Sequence, residues 1–151
     1  MNLKKILTLD SVKVGLTGST KQEIIEELID IIVANGRNLS RDVLLKAVME
    51  REKQMSTGMN NGIAIPHGKT DVVTDLHVVI GVSQKPVDFA SLDKKPARIF
   101  IMTISPKSQT GPHLQFLAEV SRLLGKDEVC RKILEAKSSG DILKIFLEGR
   151  A

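Results

Sequence analysis

The chain has 151 residues, 42% of them hydrophobic, a length and composition suited to one domain with a sizeable buried core. No run approaches the ~20 apolar residues of a membrane span, and the stretch after Lys4-Lys5 stops at Asp10 with no small-residue cleavage site, so a cytoplasmic protein without membrane insertion is expected. The formal charge of +4 comes from scattered lysines and arginines, with no Trp or Tyr to stack on bases; no nucleic-acid partner is expected, and the mild positive balance suits solvated surface or the docking of acidic proteins.

Ser19, with Gln22 three residues on, predicts the start of a helix in which Ile24, Ile25, Leu28, Ile29 and Ile32 share a face until Asn35-Gly36 stops it. Ser40 opens a second, with Leu44, Ala47, Val48 and Arg51 along one side and a break at Met55-Ser56-Thr57-Gly58. Residues 76–82 and 98–104 are short β-branched runs bounded by turn residues; the second is apolar on both faces and predicts a buried strand. Between them, Gln84-Lys85-Pro86 marks an irregular connection in which Val87-Asp88-Phe89 forms a brief strand or a turn. Thr110-Gly111-Pro112-His113 opens another helix, with Leu114, Leu117, Ala118, Ser121 and Leu124 expected on its inner side. Asp127 and Ser138 or Ser139 cap two further helices, the first holding Cys130, the sole cysteine, as a packing residue with no catalytic role. Interleaved helices and strands, with no linker or repeat, predict an α/β fold: a single-domain sandwich over residues 1–151 with a central β-sheet, taken as mixed, covered by helices. The pattern does not give strand order.

The chemistry concentrates in Asn61-Gly62-Ile63-Ala64-Ile65-Pro66-His67-Gly68-Lys69. Pro66 stiffens the backbone before His67, and Gly68 offers no Cβ to obstruct an approach to the ring from the downstream side. A neutral imidazole there is a competent nucleophile towards phosphorus, although Pro-His-Gly equally suits an ordinary loop. His113, in the first turn of its helix, stands where backbone donors and the helix dipole favour a phosphoryl oxygen; a solvent-exposed or capping histidine is the competing reading. Arg51 can bring a permanent charge and paired donors, or merely complement its own helix C-terminus. His77 is read as structural or surface-facing. No two histidines fall at His-Glu-x-x-His spacing, and no Gly-x-Ser-x-Gly, P-loop or dinucleotide fingerprint occurs, so neither a metal nor any other cofactor is expected.

Taken together, Arg51-Glu52, Ser56-Thr57-Gly58, the block from Gly62 to Lys69, and Pro112-His113-Leu114 resemble the fructose, mannitol and nitrogen-regulatory IIA family of the phosphoenolpyruvate-dependent phosphotransferase system, in element order over nearly the whole chain. The resemblance implies a phosphotransferase component that accepts a phosphoryl group on His67, through Nε2, from phospho-HPr or a regulatory HPr paralogue. It implies delivery to a IIB protein or domain, with Arg51 and His113 beside the phosphoryl site. A fructose-like transport role is the leading expectation; the alternative is a nitrogen-regulatory module whose phosphorylation state controls binding to a regulatory protein. Asn61 departs from mannitol-type relatives, where a carboxylate can stand, and with no fused IIB, IIC or HPr region in these residues the chain is expected to meet its partners by diffusion.

Overall fold

A computed structural model describes residues 3–36 and 38–148. A short helix α1 (Leu3–Ile6) and a 3-10 turn (Leu9–Ser11) lead into β1 (Val12–Leu16), then helices α2 (Lys21–Asn35) and α3 (Arg41–Gln54). Two very short strands follow, β2 (Ile63–Ala64) and β3 (His67–Lys69), then the long pair β4 (His77–Val87) and β5 (Ala97–Ser105). Helices α4 (Thr110–Leu124), α5 (Asp127–Glu135) and α6 (Ser139–Glu148) complete the order.

The sheet runs β1-β4-β5-β2, with β3 continuing beyond β2 along the same edge of β5. β4 and β5 are antiparallel, while β1 on β4 and both β2 and β3 on β5 are parallel, so the sheet is mixed as expected. β5 explains its own composition: Ile99 and Ile101 point into a core built with Phe116, Val120, Ile133, Ile142 and Phe146, whereas Phe100, Met102 and Ile104 enter a second core with Ile24, Ile25, Leu28, Leu44 and Val48. Two helical layers thus cover one central strand pair, and the α/β sandwich follows from a β5 that must bury both faces.

Several expectations shift by a residue or more. The α2 cap is Thr20, whose hydroxyl accepts from Glu23 N–H, and it is Glu23, not Gln22, that reaches back to accept from the backbone and hydroxyl of Ser19. β4 runs on through Gln84-Lys85-Pro86; its neighbour β1 has its last partner at Ser83, so the proline sits where that side of the strand is open. The inner face of α4 is His113, Phe116, Val120, Leu123 and Leu124, while Leu114 is largely exposed and Ala118 and Ser121 also face outward. Ser138 does cap α6, accepting from Asp141 N–H, but Asp127 lies just inside α5, after Lys126. Cys130 is buried, donates to Leu124 O, and has its thiol pKa raised by burial, which suits packing.

Candidate functional site

His67 begins β3, held on β5 by a parallel register in which it faces Thr103 and by a bond from Thr103 N–H to Pro66 O at 3.2 Å. The segment before it is aimed by a tight reversal: Asn61 (φ 62°) and Gly62 (φ 76°) both take the left-handed conformation, Met59 N–H meets Ile63 O, and Gly58 bridges Ala64. Such Asn-Gly pairs suit a hairpin turn with two positive φ values, a signal that the sequence itself carries. Gly68 has a different purpose from the one its position suggested. A Cβ there would lie 3.0–3.1 Å from Val48 N and from Ala47 C and Cβ, so its bare backbone lets β3 press directly on α3. It serves the seating of the histidine against the Arg51 helix and does not open a path to the ring.

His67 is half-buried, and its Nδ1 lies 3.0 Å from Ile65 O. A carbonyl only accepts, so in the neutral ring Nδ1 carries the proton and Nε2 keeps a free lone pair; among the described residues Nε2 has no hydrogen-bond partner. Burial, chiefly, lowers the pKa of His67; the Ile65 bond opposes this, and the charges of Arg51 and Lys69 lower it further while Glu52 raises it. The ring is therefore neutral at neutral pH, as a nucleophile must be.

His113 lies behind it, with ring centroids 5.5 Å apart and planes inclined by 48°. It is only 5% exposed, which removes the reading of a solvent-facing or capping histidine. Burial, reinforced by His67 and Lys69, pushes its pKa down to about 4, and its Nε2 lies 2.9 Å from Thr103 Oγ1. Arg51, in the last turn of α3, donates from Nη1 to Met55 O at 2.8 Å, and it lines the same cleft as His67, a space of about 200 Å³ bounded also by Ser56, Thr57, Gly58, Met59, Leu92 and Leu117. The Met55 bond is the interaction expected of an arginine at its own helix C-terminus; it also fixes the guanidinium at the cleft. His77 lies outside that cleft, half-buried on β4, its pKa lowered by burial against the opposing charge of Asp75.

Two participants carried no assigned role in the sequence. Glu52 is buried; its Oε1 accepts from Lys21 Nζ at 2.7 Å and from Thr57 N–H at 2.9 Å, and Oε2 from the Thr57 hydroxyl at 2.6 Å. This carboxylate ties α2, α3 and the 56–58 wall of the cleft together. The other is Thr103, the polar residue that interrupts the apolar run from Ile99 to Ile104 of β5, which was its only signal. Among the described residues no group of three or more His, Cys, Asp or Glu side chains converges as a metal site would, and no helix is long and apolar enough to cross a membrane.

The family model of the phosphoenolpyruvate-dependent sugar phosphotransferase system, EIIA 2, matches residues 5–149. This chain belongs to that family. It is 36% identical over 147 residues to the fructose-specific EIIA component of Haloferax volcanii, covering 97% of this chain and 96% of that protein. It is 33% identical to the fructose-specific EIIABC component of Bacillus subtilis, but spans only 23% of that longer protein's length. The nitrogen regulatory protein of Klebsiella oxytoca is 30% identical over 98% of this chain and 91% of its own. In fold, this EIIA-family chain superposes on nitrogen regulatory protein IIA-Ntr from Neisseria meningitidis with a TM-score of 0.89 at 24% identity, covering 95% and 98% of the two chains. The IIA mannitol enzyme of Escherichia coli, solved in complex with phosphorylated IIB mannitol, superposes with a TM-score of 0.79 at 22% identity, covering 94% and 97%.

Proposed function

We propose that this chain is a cytoplasmic, single-domain phosphocarrier in which Nε2 of His67 accepts a phosphoryl group from phospho-HPr or a regulatory HPr paralogue and passes it to a IIB component of a fructose-type uptake system. The supporting observation is the Nδ1 contact with Ile65 O, which leaves Nε2 as the nucleophilic nitrogen in a cleft shared with Arg51. In the transfer, the donor's phosphorus–nitrogen bond breaks as the Nε2–phosphorus bond forms, the donor nitrogen keeps the electron pair, and the proton stays on Nδ1 of His67, donated in a hydrogen bond to Ile65 O. Arg51 supplies charge to the equatorial oxygens and the neutral His113 a hydrogen bond, so the reaction needs alignment and electrostatic stabilisation and calls on no metal or cofactor. Large apolar side chains stand exposed around the cleft, namely Met55, Met59, Leu92 and, one turn before Leu117, Leu114. A docked protein covers such a surface and excludes water from the phosphohistidine.

The test is incubation with phosphoenolpyruvate, enzyme I and HPr. An acid-labile phosphate is expected on the wild type and none on His67→Ala; equal labelling of that variant rejects the assignment. The identity to the Klebsiella nitrogen regulatory protein over most of both chains favours a second reading, in which the same phosphorylation switches binding to a regulatory protein. Affinity capture with each phosphorylation state separates them: recovery of IIB alone favours transport, and a state-dependent regulator favours signalling.

A further inference from the structure

Thr103 links the two histidines of the site, its backbone to the strand that carries His67 and its hydroxyl to the His113 ring. Its backbone N–H donates to Pro66 O immediately before His67, its register partner across the strands is His67 itself, and its hydroxyl lies 2.9 Å from Nε2 of His113. It is 1% exposed, and it follows Ile99 and Ile101 on the face of β5 that meets α4. A valine of the same shape would satisfy that packing, so the hydroxyl answers to something other than the core. Its one hydrogen-bond partner among the described residues is the His113 ring, and Nδ1 of that ring has none.

A neutral imidazole has a single N–H, and phosphoryl oxygens can only accept. If His113 carried its proton on Nε2, Thr103 would consume it, and Nδ1 would turn a lone pair towards any anion bound nearby. If Thr103 donates instead, Nε2 is the acceptor and Nδ1–H is free. We propose that Thr103 Oγ1–H donates to Nε2 of His113, holds that ring in the Nδ1–H tautomer, and so makes Nδ1–H the donor that meets the phosphoryl group on His67. Thr103 is then a positioning residue, acting through His113 and never touching phosphate. The consequence for transfer rests on the phosphocarrier reading above, whereas the tautomer belongs to the resting protein.

The experiment takes the full chain labelled with 15N-histidine and reads long-range proton–nitrogen correlations without phosphate. A protonated Nδ1 and a bare Nε2 on His113 are expected; protonation on Nε2 in the wild type overturns the proposal. Thr103→Val should release the tautomer and slow phosphoryl acceptance by roughly 10- to 100-fold at saturating donor, below the loss expected when a preorganised donor is removed outright. The donor concentration for half-maximal rate should not change, because the docking surface is untouched, and Thr103→Ser should restore both tautomer and rate. A Thr103→Val protein that transfers at the wild-type rate also overturns the proposal. Should that variant fail to fold, the wild-type tautomer and its retention in Thr103→Ser decide the matter. A wild type that takes no phosphate on His67 sinks the carrier reading while the nitrogen assignment of His113 still stands or falls by itself.

Discussion

Replacing Glu52 by glutamine removes one charge while keeping the side chain's size. The Glu52 side chain is 3% exposed and satisfies three donors at 2.6–2.9 Å, and its partner Lys21 is 24% exposed, with Nζ also 4.8 Å from the centre of the Phe89 ring. Breaking a buried ion pair by removing one partner costs about 3–5 kcal/mol. Glutamine still accepts from Thr57 N–H, and water reaches part of the Lys21 ammonium, so the lower end, about 3 kcal/mol, is expected. For a domain of this size that is a fall of roughly 6–12 °C in Tm. With no Trp or Tyr in the chain, urea and thermal unfolding are best followed by far-ultraviolet circular dichroism. Adding Lys21→Met to Glu52→Gln should recover part of the loss, since no unpaired ammonium then remains. A loss below about 1 kcal/mol in Glu52→Gln, or strict additivity in the double variant, would refute the claim that this pair braces the cleft wall.

Gly68→Ala puts a Cβ against the α3 backbone at 3.0–3.1 Å, so β3 must shift; a loss of about 1–3 kcal/mol and slower phosphoryl acceptance are expected, and an unchanged unfolding curve would contradict the close approach. Because the folded-state pKa of His113 is depressed to about 4 from an ordinary 6.5, the unfolded chain binds more protons between those values. The stability contributed by neutral His113 is therefore complete above about pH 6.5 and is lost as pH falls towards 4, by up to ~3 kcal/mol, and His113→Gln should flatten this part of the stability–pH curve. A curve of the same slope in that variant would count against a buried neutral ring. Arg51→Ala should slow transfer by about 10²–10³, and Arg51→Lys, which keeps charge without the fork, should fall between; stopped-flow labelling that finds both at the wild-type rate would remove Arg51 from the site.

The parts of the fold legible in the sequence are those whose pattern is local. The isoleucine spacing of α2 and the two-faced run of β5 each specify an element without reference to distant residues. β1 went unread because its five residues include Lys13 and Gly15 and gain their meaning from parallel pairing with β4. β2 and β3 are two and three residues long, and only their register on β5 makes them strands. On α4 the leucines misled: Leu114 stays exposed, while the polar His113 turns inward, where Thr103 offers its ring a hydrogen-bond partner. His67, Arg51 and His113 were each visible as chemistry. Their meeting was not, since it depends on β3 lying along β5 and on Gly68 letting α3 come close.

The most direct measurement is the nitrogen–phosphorus connectivity of the chain after phosphoryl transfer in 15N-histidine-labelled protein. Phosphorus coupled to Nε2 of His67, with Nδ1 still protonated against Ile65 O, is the predicted result. Phosphorus on Nδ1 of His67, or on His113 or His77, would contradict it.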